Sequence, residues 1–165
     1  MKPSAIRGWL LLFVLHAVYM TAANTYFALR SWLRIVQFSP LYFTSQTARS
    51  FGIHTAGRAV LETAFVVLLA TGLYLTLSLD TRTRGYWRFA LPGAILCQAA
   101  VLLVNLTERS ALETLRPNIP PPPLPPLLRL TIILSSIGLW WIYWERSHRV
   151  KDLFSPAPPG LSAAA

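Results

Sequence analysis

Four long apolar runs, each carrying very few polar residues, set the pattern of this chain. Trp9 to Leu29 is uncharged over 21 residues. A helix of that length rises about 31 Å, close to the hydrocarbon thickness of a bilayer. Ala59 to Leu79 follows, with Glu62 as its only charge before the turn that ends it. Phe89 to Thr107 is the third run, and Leu127 to Trp144, with Arg129 near its start, is the fourth. The runs are continuous and not alternating, which argues against barrel strands of about ten residues. The pattern predicts an all-α integral membrane four-helix bundle over residues 1–154, with spans at about 9–29, 59–79, 89–107 and 127–144.

The connections differ in kind. Arg30 to Arg58 is rich in Trp32, Leu33, Ile35, Val36, Phe38, Leu41, Tyr42 and Phe43, too apolar for a free loop. It reads as an amphipathic, partly helical first outer loop lying on the membrane surface, interrupted by Pro40 and loosened at Gly52 and Gly57. Asp80 to Gly85 is a compact polar turn, so the runs on either side are antiparallel neighbours. Pro92 falls in the first turn of the third run, where a missing N–H removes little. Pro120 to Pro126 reads as a stiff polyproline spacer. Residues 155–165, with Pro156, Pro158, Pro159 and a terminal run of alanines, read as a disordered tail. A basic leader with Lys2 and Arg7, an apolar core and the small Thr21 and Ala23 also fit a cleaved signal peptide. The apolar character that continues from Tyr26 to Leu29 favours a retained first helix.

Composition sharpens this picture. Of 165 residues, 54% are hydrophobic and 13% charged. A soluble domain of this length carries about a quarter charged residues, so there is too little polar surface here for a water-exposed globule. The net charge of +9 could suggest nucleic acid. The basic residues lie between apolar runs and form no patch, so membrane topology accounts for them instead. With both termini cytoplasmic, eight Lys and Arg fall inside and seven outside, and the inner ones are denser near the helix ends. Cys97 is alone and forms no internal disulfide.

The fourth run ends in Trp140, Trp141, Tyr143 and Trp144, followed by Arg146, Arg149 and Lys151. Amphipathic rings settle at headgroup depth, and cations beyond them meet anionic lipid. Tyr143, Ser147, Arg149, Val150 and Phe154 match the pattern Tyr-x-x-x-Ser-x-Arg-Val-x-x-Thr-Phe, with Leu153 in place of its Thr. Together with the opening Gly8-Trp9-Leu10, this resembles the bacterial four-helix membrane family catalogued as domain of unknown function 2569. The resemblance implies a four-helix inner-membrane protein without an assigned activity. It also implies that Glu62 and Arg129 stand where such proteins carry a Glu and a basic residue. Tyr143, Ser147, Arg149, Val150, Lys151 and Phe154 are thus a candidate membrane-interface or docking motif, whose apolar side can continue as a short amphipathic helix on the bilayer.

Each run also carries a sparse polar stripe at helical spacing. His16 and Asn24 fall within about 80° of each other on the first. Gln98 and Asn105 share a face of the third, and Arg129, Ser136, Trp140, Tyr143 and Ser147 follow a spacing of three and four on the last. Polar side chains avoid lipid, so the stripes should face inward. At the outer end they bring Glu62, Arg58, Arg129, Asn24 and Asn105 to one depth, with Arg58 or Arg129 as the counter-charge of Glu62. The plainer alternative is that Glu62 sits in a first helical turn because a carboxylate is favoured there by the helix dipole.

No nucleophile elbow, phosphate-binding glycine loop or zinc-ligand spacing occurs, and no catalytic residue, metal or cofactor is indicated. The sequence therefore points to a multi-pass bacterial inner-membrane protein, a non-enzymatic accessory, scaffold or lipid-interacting subunit. Its partners would be membrane lipids and a membrane protein or a second copy, with no nucleic acid. A small transporter or channel component using the Glu62 cluster is the first alternative, and a lipid-modifying enzyme the second.

Overall fold

The computed structural model describes residues 8–115 and 125–154. Among them the chain is helical with no strand: α1 Trp9–Phe38, a 3-10 turn Ser39–Phe43, α2 Gln46–Leu77, α3 Thr83–Leu115, α4 Pro126–Arg146 and the short α5 His148–Leu153. Three segments, Trp9–Tyr42, Ala48–Leu77 and Thr83–Arg109, are each long and apolar enough to cross a membrane. The fourth expected span lies within α4, where the side chains of Leu127, Arg129 and Leu130 are outside the described residues. The polyproline stretch before Pro125 and the tail from residue 155 are also outside them.

The first three helices run well past their apolar cores. At 30, 32 and 33 residues they rise about 45–50 Å. The stretch from Arg30 to Arg58 is therefore not a separate element lying on a surface. It is the end of α1, a 3-10 turn and the beginning of α2. A charge ends an apolar run but does not end a helix, and no breaker stands between Arg30 and Phe38. The next proline after Arg30, Pro40, opens the 3-10 turn. Ser45 starts α2 by accepting the Ala48 N–H at 3.1 Å. Gly52 and Gly57 do not loosen the chain, since α2 passes through both. At Gly52 a Cβ would sit 2.7 Å from the Tyr42 ring, so the glycine lets the 3-10 turn fold down onto α2.

The turn from α2 to α3 is built by its side chains. Leu79 takes a left-handed conformation, φ 53°, a position usually given to glycine. The N–H groups of Asp80 and Leu79 return to the Leu75 and Thr76 carbonyls, which closes the helix end. The Asp80 carboxylate accepts the Arg82 N–H at 2.8 Å, and the buried Thr83 hydroxyl reaches the Leu75 carbonyl at 2.9 Å. Because α3 begins at Thr83, Pro92 is not in a first turn. It lies more than two turns inside the helix, where it leaves the Arg88 carbonyl without its usual donor.

Sequence neighbours pack on one another, α1 on α2, α2 on α3 and α3 on α4. Side-chain contacts between α1 and α4 close the set, with Phe13 edge-on to Trp140 and to Trp144 at 5.2 Å. Phe13, Trp87, Trp144 and Phe154 form an aromatic core at this end, all nearly inaccessible. The indole of Trp144 stacks 5.9 Å from that of Trp87. Trp144 therefore belongs to the interior and not to an interfacial belt. Trp140 and Trp144 lie four apart, on the face that also carries Ile137, while Trp141 is turned outward.

Candidate functional site

Polar side chains meet inside the helices at three levels, all touching one face of α1. Near its start His16 Nε2 lies 3.0 Å from the Ser136 hydroxyl of α4. Two turns on, Gln98 of α3 donates to the Asn24 side-chain oxygen at 3.1 Å. Two turns further, Ser31 donates to Glu62 of α2 at 2.7 Å. The intervals of eight and seven residues keep the three on one stripe, spaced by about 10–12 Å along the axis. Each level ties α1 to a different helix.

The third level holds the charge. Glu62 is 3% exposed, and each of its oxygens has a partner. Oε2 accepts from Ser31, and Oε1 accepts from Arg58 Nε at 2.9 Å. Arg58 lies one turn earlier on α2 and also faces Glu108 of α3, with Nη1 3.8 Å from Oε2. Glu108 is itself 8% exposed. One guanidinium thus bridges two buried carboxylates, and three helices contribute to the group. Beside it, the Trp32 indole N–H donates to the Thr63 hydroxyl at 3.0 Å.

The counter-charge of Glu62 is Arg58. The Arg129 side chain lies outside the described residues. Asn24 stands one level away, paired with Gln98, and Asn105 forms none of the described side-chain hydrogen bonds. The helix-dipole explanation of Glu62 does not hold, because α2 begins at Gln46 and Glu62 lies about four turns in. The dipole's influence is confined to the first turn. Two members of the group, Ser31 and Glu108, were not among the sequence candidates. Both fall in stretches that read as connections, because the first and third apolar runs stop at the charges Arg30 and Glu108. Their signal was the stripe itself, since Ser31 continues the spacing of His16 and Asn24.

The opposite end is fastened differently. Arg88 of α3 grips both oxygens of Glu145 of α4, with Nη2 to Oε2 at 2.9 Å and Nε to Oε1. In the α2–α3 turn, Arg82 donates from Nε and Nη2 to the Asp80 carboxylate, which these bonds hold down to a pKa of about 2.

The motif after α4 has a structural role. Ser147 ends α4 and starts α5, its hydroxyl accepting the Val150 N–H at 3.3 Å. The chain then folds back. Val150 and Phe154 are buried, and the Phe154 ring lies 5.6 Å from that of Trp144. The apolar side of α5 is turned into the aromatic core and not onto an outer surface, which leaves Arg149 exposed and Tyr143 and Lys151 half-buried. Ser147→Ala is expected to lower stability by about 0.5–1 kcal/mol, and Ser147→Asn to restore most of it, in thermal unfolding of purified protein.

No family model, curated protein or solved structure matches this chain.

Proposed function

We propose that this chain is a four-span bacterial inner-membrane protein of the type its C-terminal motif resembles, a non-enzymatic accessory or scaffold subunit with both termini cytoplasmic. The observation that carries the reading is an inverted distribution of polarity. Glu62, Gln98, Glu108, Ser31 and Thr76 are buried, while Leu15, Val67, Leu96, Leu103 and Leu139 face outward along the helices. Phe89 and Tyr74 are 81% and 71% exposed. In water such a surface would aggregate, whereas in hydrocarbon it needs no cover.

In this setting a hydrocarbon layer of about 30 Å takes up some two-thirds of α1 to α3. Their ends near Ser31, Arg58 and Glu108 lie at or beyond the outer boundary, and the Asp80 to Arg88 turn lies at the inner one. The scaffold reading is supported by the engagement of Glu62 within the bundle, where each of its two oxygens already has a partner, Ser31 or Arg58. Transport is the second reading. It is favoured by the sharing of one Arg58 between two buried carboxylates, an arrangement that offers two acidic side chains to a cation.

Topology reporters test the membrane reading. Tags after residue 81 and after residue 118 should report opposite compartments, and tags at both termini the cytoplasm. Tags at 81 and 118 on the same side would overturn it. Substrate-independent cation uptake by proteoliposomes, lost in Glu62→Gln, would replace the scaffold by the transporter.

A further inference from the structure

We propose that the outward groove between α2 and α3 seats one anionic phospholipid, an acyl chain lying in the groove and the phosphate meeting Arg82. The proposal rests on the membrane reading above and adds a ligand and a place for it. The groove encloses about 630 Å³ and is lined by Leu68, Thr71 and Leu75 of α2, by Arg82, and by Gly85, Tyr86, Phe89 and Ala90 of α3. Its α2 wall follows a spacing of three and four, and so does its α3 wall, so each helix offers one continuous stripe. From Leu68 to Leu75 it extends about 10 Å along the axis.

The groove is open because two side chains are small. A Cβ on Gly85 would meet nothing within 4 Å, and Ala90 adds only a methyl. Its floor is apolar because the Tyr86 hydroxyl is spent, donating to the Leu68 carbonyl at 2.8 Å. That bond turns the ring into a bridge between the helices and removes the polar tip from the cleft. Phe89 stands as an outer wall.

Charge chooses among lipids. The Arg82 side chain is 80% exposed at one end of the groove. Asp80 engages its Nε and Nη2, which fixes the direction of the guanidinium and leaves the Nη1 donors for a phosphate. Arg84 and Arg88 follow within the next two turns, and Glu145 is the partner of Arg88. The local balance is positive, as a headgroup carrying a net negative charge requires. A zwitterionic headgroup gains less.

The test is retention of lipid by the full chain in native mass spectrometry after exchange into detergent with equal phosphatidylglycerol and phosphatidylcholine. Wild type should hold one phosphatidylglycerol in preference to phosphatidylcholine by about fivefold, the effect of one cation at a lipid surface. Arg82→Gln should bring the ratio to about one, and Gly85→Trp, whose Cβ would meet nothing within 4 Å and whose ring would occupy the groove, should abolish retention of either lipid. Arg30→Gln, at the other end of the molecule, should change neither. Equal retention of both lipids by the wild type, or retention unchanged by Gly85→Trp, would overturn the proposal while leaving the membrane reading intact. A dimer lost in Gly85→Trp would give the groove to a second copy and also overturn it. Recovery of the chain without detergent would instead remove the reading on which the site depends.

Discussion

Glu62→Leu is expected to lower the stability of the purified protein by about 2–4 kcal/mol, somewhat under the roughly 3–5 kcal/mol for breaking a fully buried ion pair by removing one partner. The loss comes from what stays behind. Ser31 keeps a buried hydroxyl without its acceptor, and Arg58 keeps a guanidinium whose remaining carboxylate, Glu108, is 3.8 Å away. Arg58 is partly exposed, which places the effect below that of a fully buried pair. Arg58→Leu should do more harm, because two buried carboxylates then face each other with no cation between them. The double variant Arg58→Leu/Glu62→Leu should lose less than the sum, with a coupling of about 1–3 kcal/mol. Denaturant titration in detergent, followed by tryptophan fluorescence, measures all three. Purely additive losses would show that the contact carries no energy.

The second large effect is expected at the other end. Trp87→Ala should cost about 3–5 kcal/mol, the range for emptying a buried aromatic site. Trp87 is inaccessible, stacks on Trp144, meets Phe13 edge-on at 4.8 Å and donates its N–H to the Thr76 hydroxyl at 2.8 Å. It can lie so close to α2 only because residue 72 is glycine. A Cβ there would sit 2.6 Å from the indole Cη2. Gly72→Val should therefore produce a loss of similar kind through displacement of the same ring, whereas Trp87→Phe should cost only about 1–2 kcal/mol, mostly for the Thr76 bond. A Gly72→Val protein as stable as wild type would mean that Trp87 has another place to go.

The helices and their antiparallel order were legible because long uncharged runs separated by a turn such as Asp80 to Gly85 leave few other arrangements. Their lengths were not. Hydropathy reports where an uncharged segment runs, and α1, α2 and α3 continue past the charged residues that bound those runs, because a charge does not end a helix. That is why Ser31 and Glu108 read as parts of connections, whereas Glu62, inside an apolar run, and Arg58, one turn before it, read as a pair. The inward direction of the polar stripes was readable from spacing at His16, Asn24 and Gln98. The fate of the C-terminal motif was not. A helical spacing of four puts Val150 and Phe154 on one side, but only packing decides whether that side meets lipid or, as here, Trp144.

The Arg58–Glu62 pair has a consequence for how such a chain could be made. Both charges belong to one helix and lie a single turn apart, so they cancel before any neighbour arrives. On the membrane reading proposed above, the stretch from Arg58 to Leu77 can enter the insertion machinery with no net charge, and it needs no chaperoning partner to mask a lone carboxylate. Glu108 emerges later and finds the cation already in position. The order of the genetic text thus matches the order in which the charges can be neutralised.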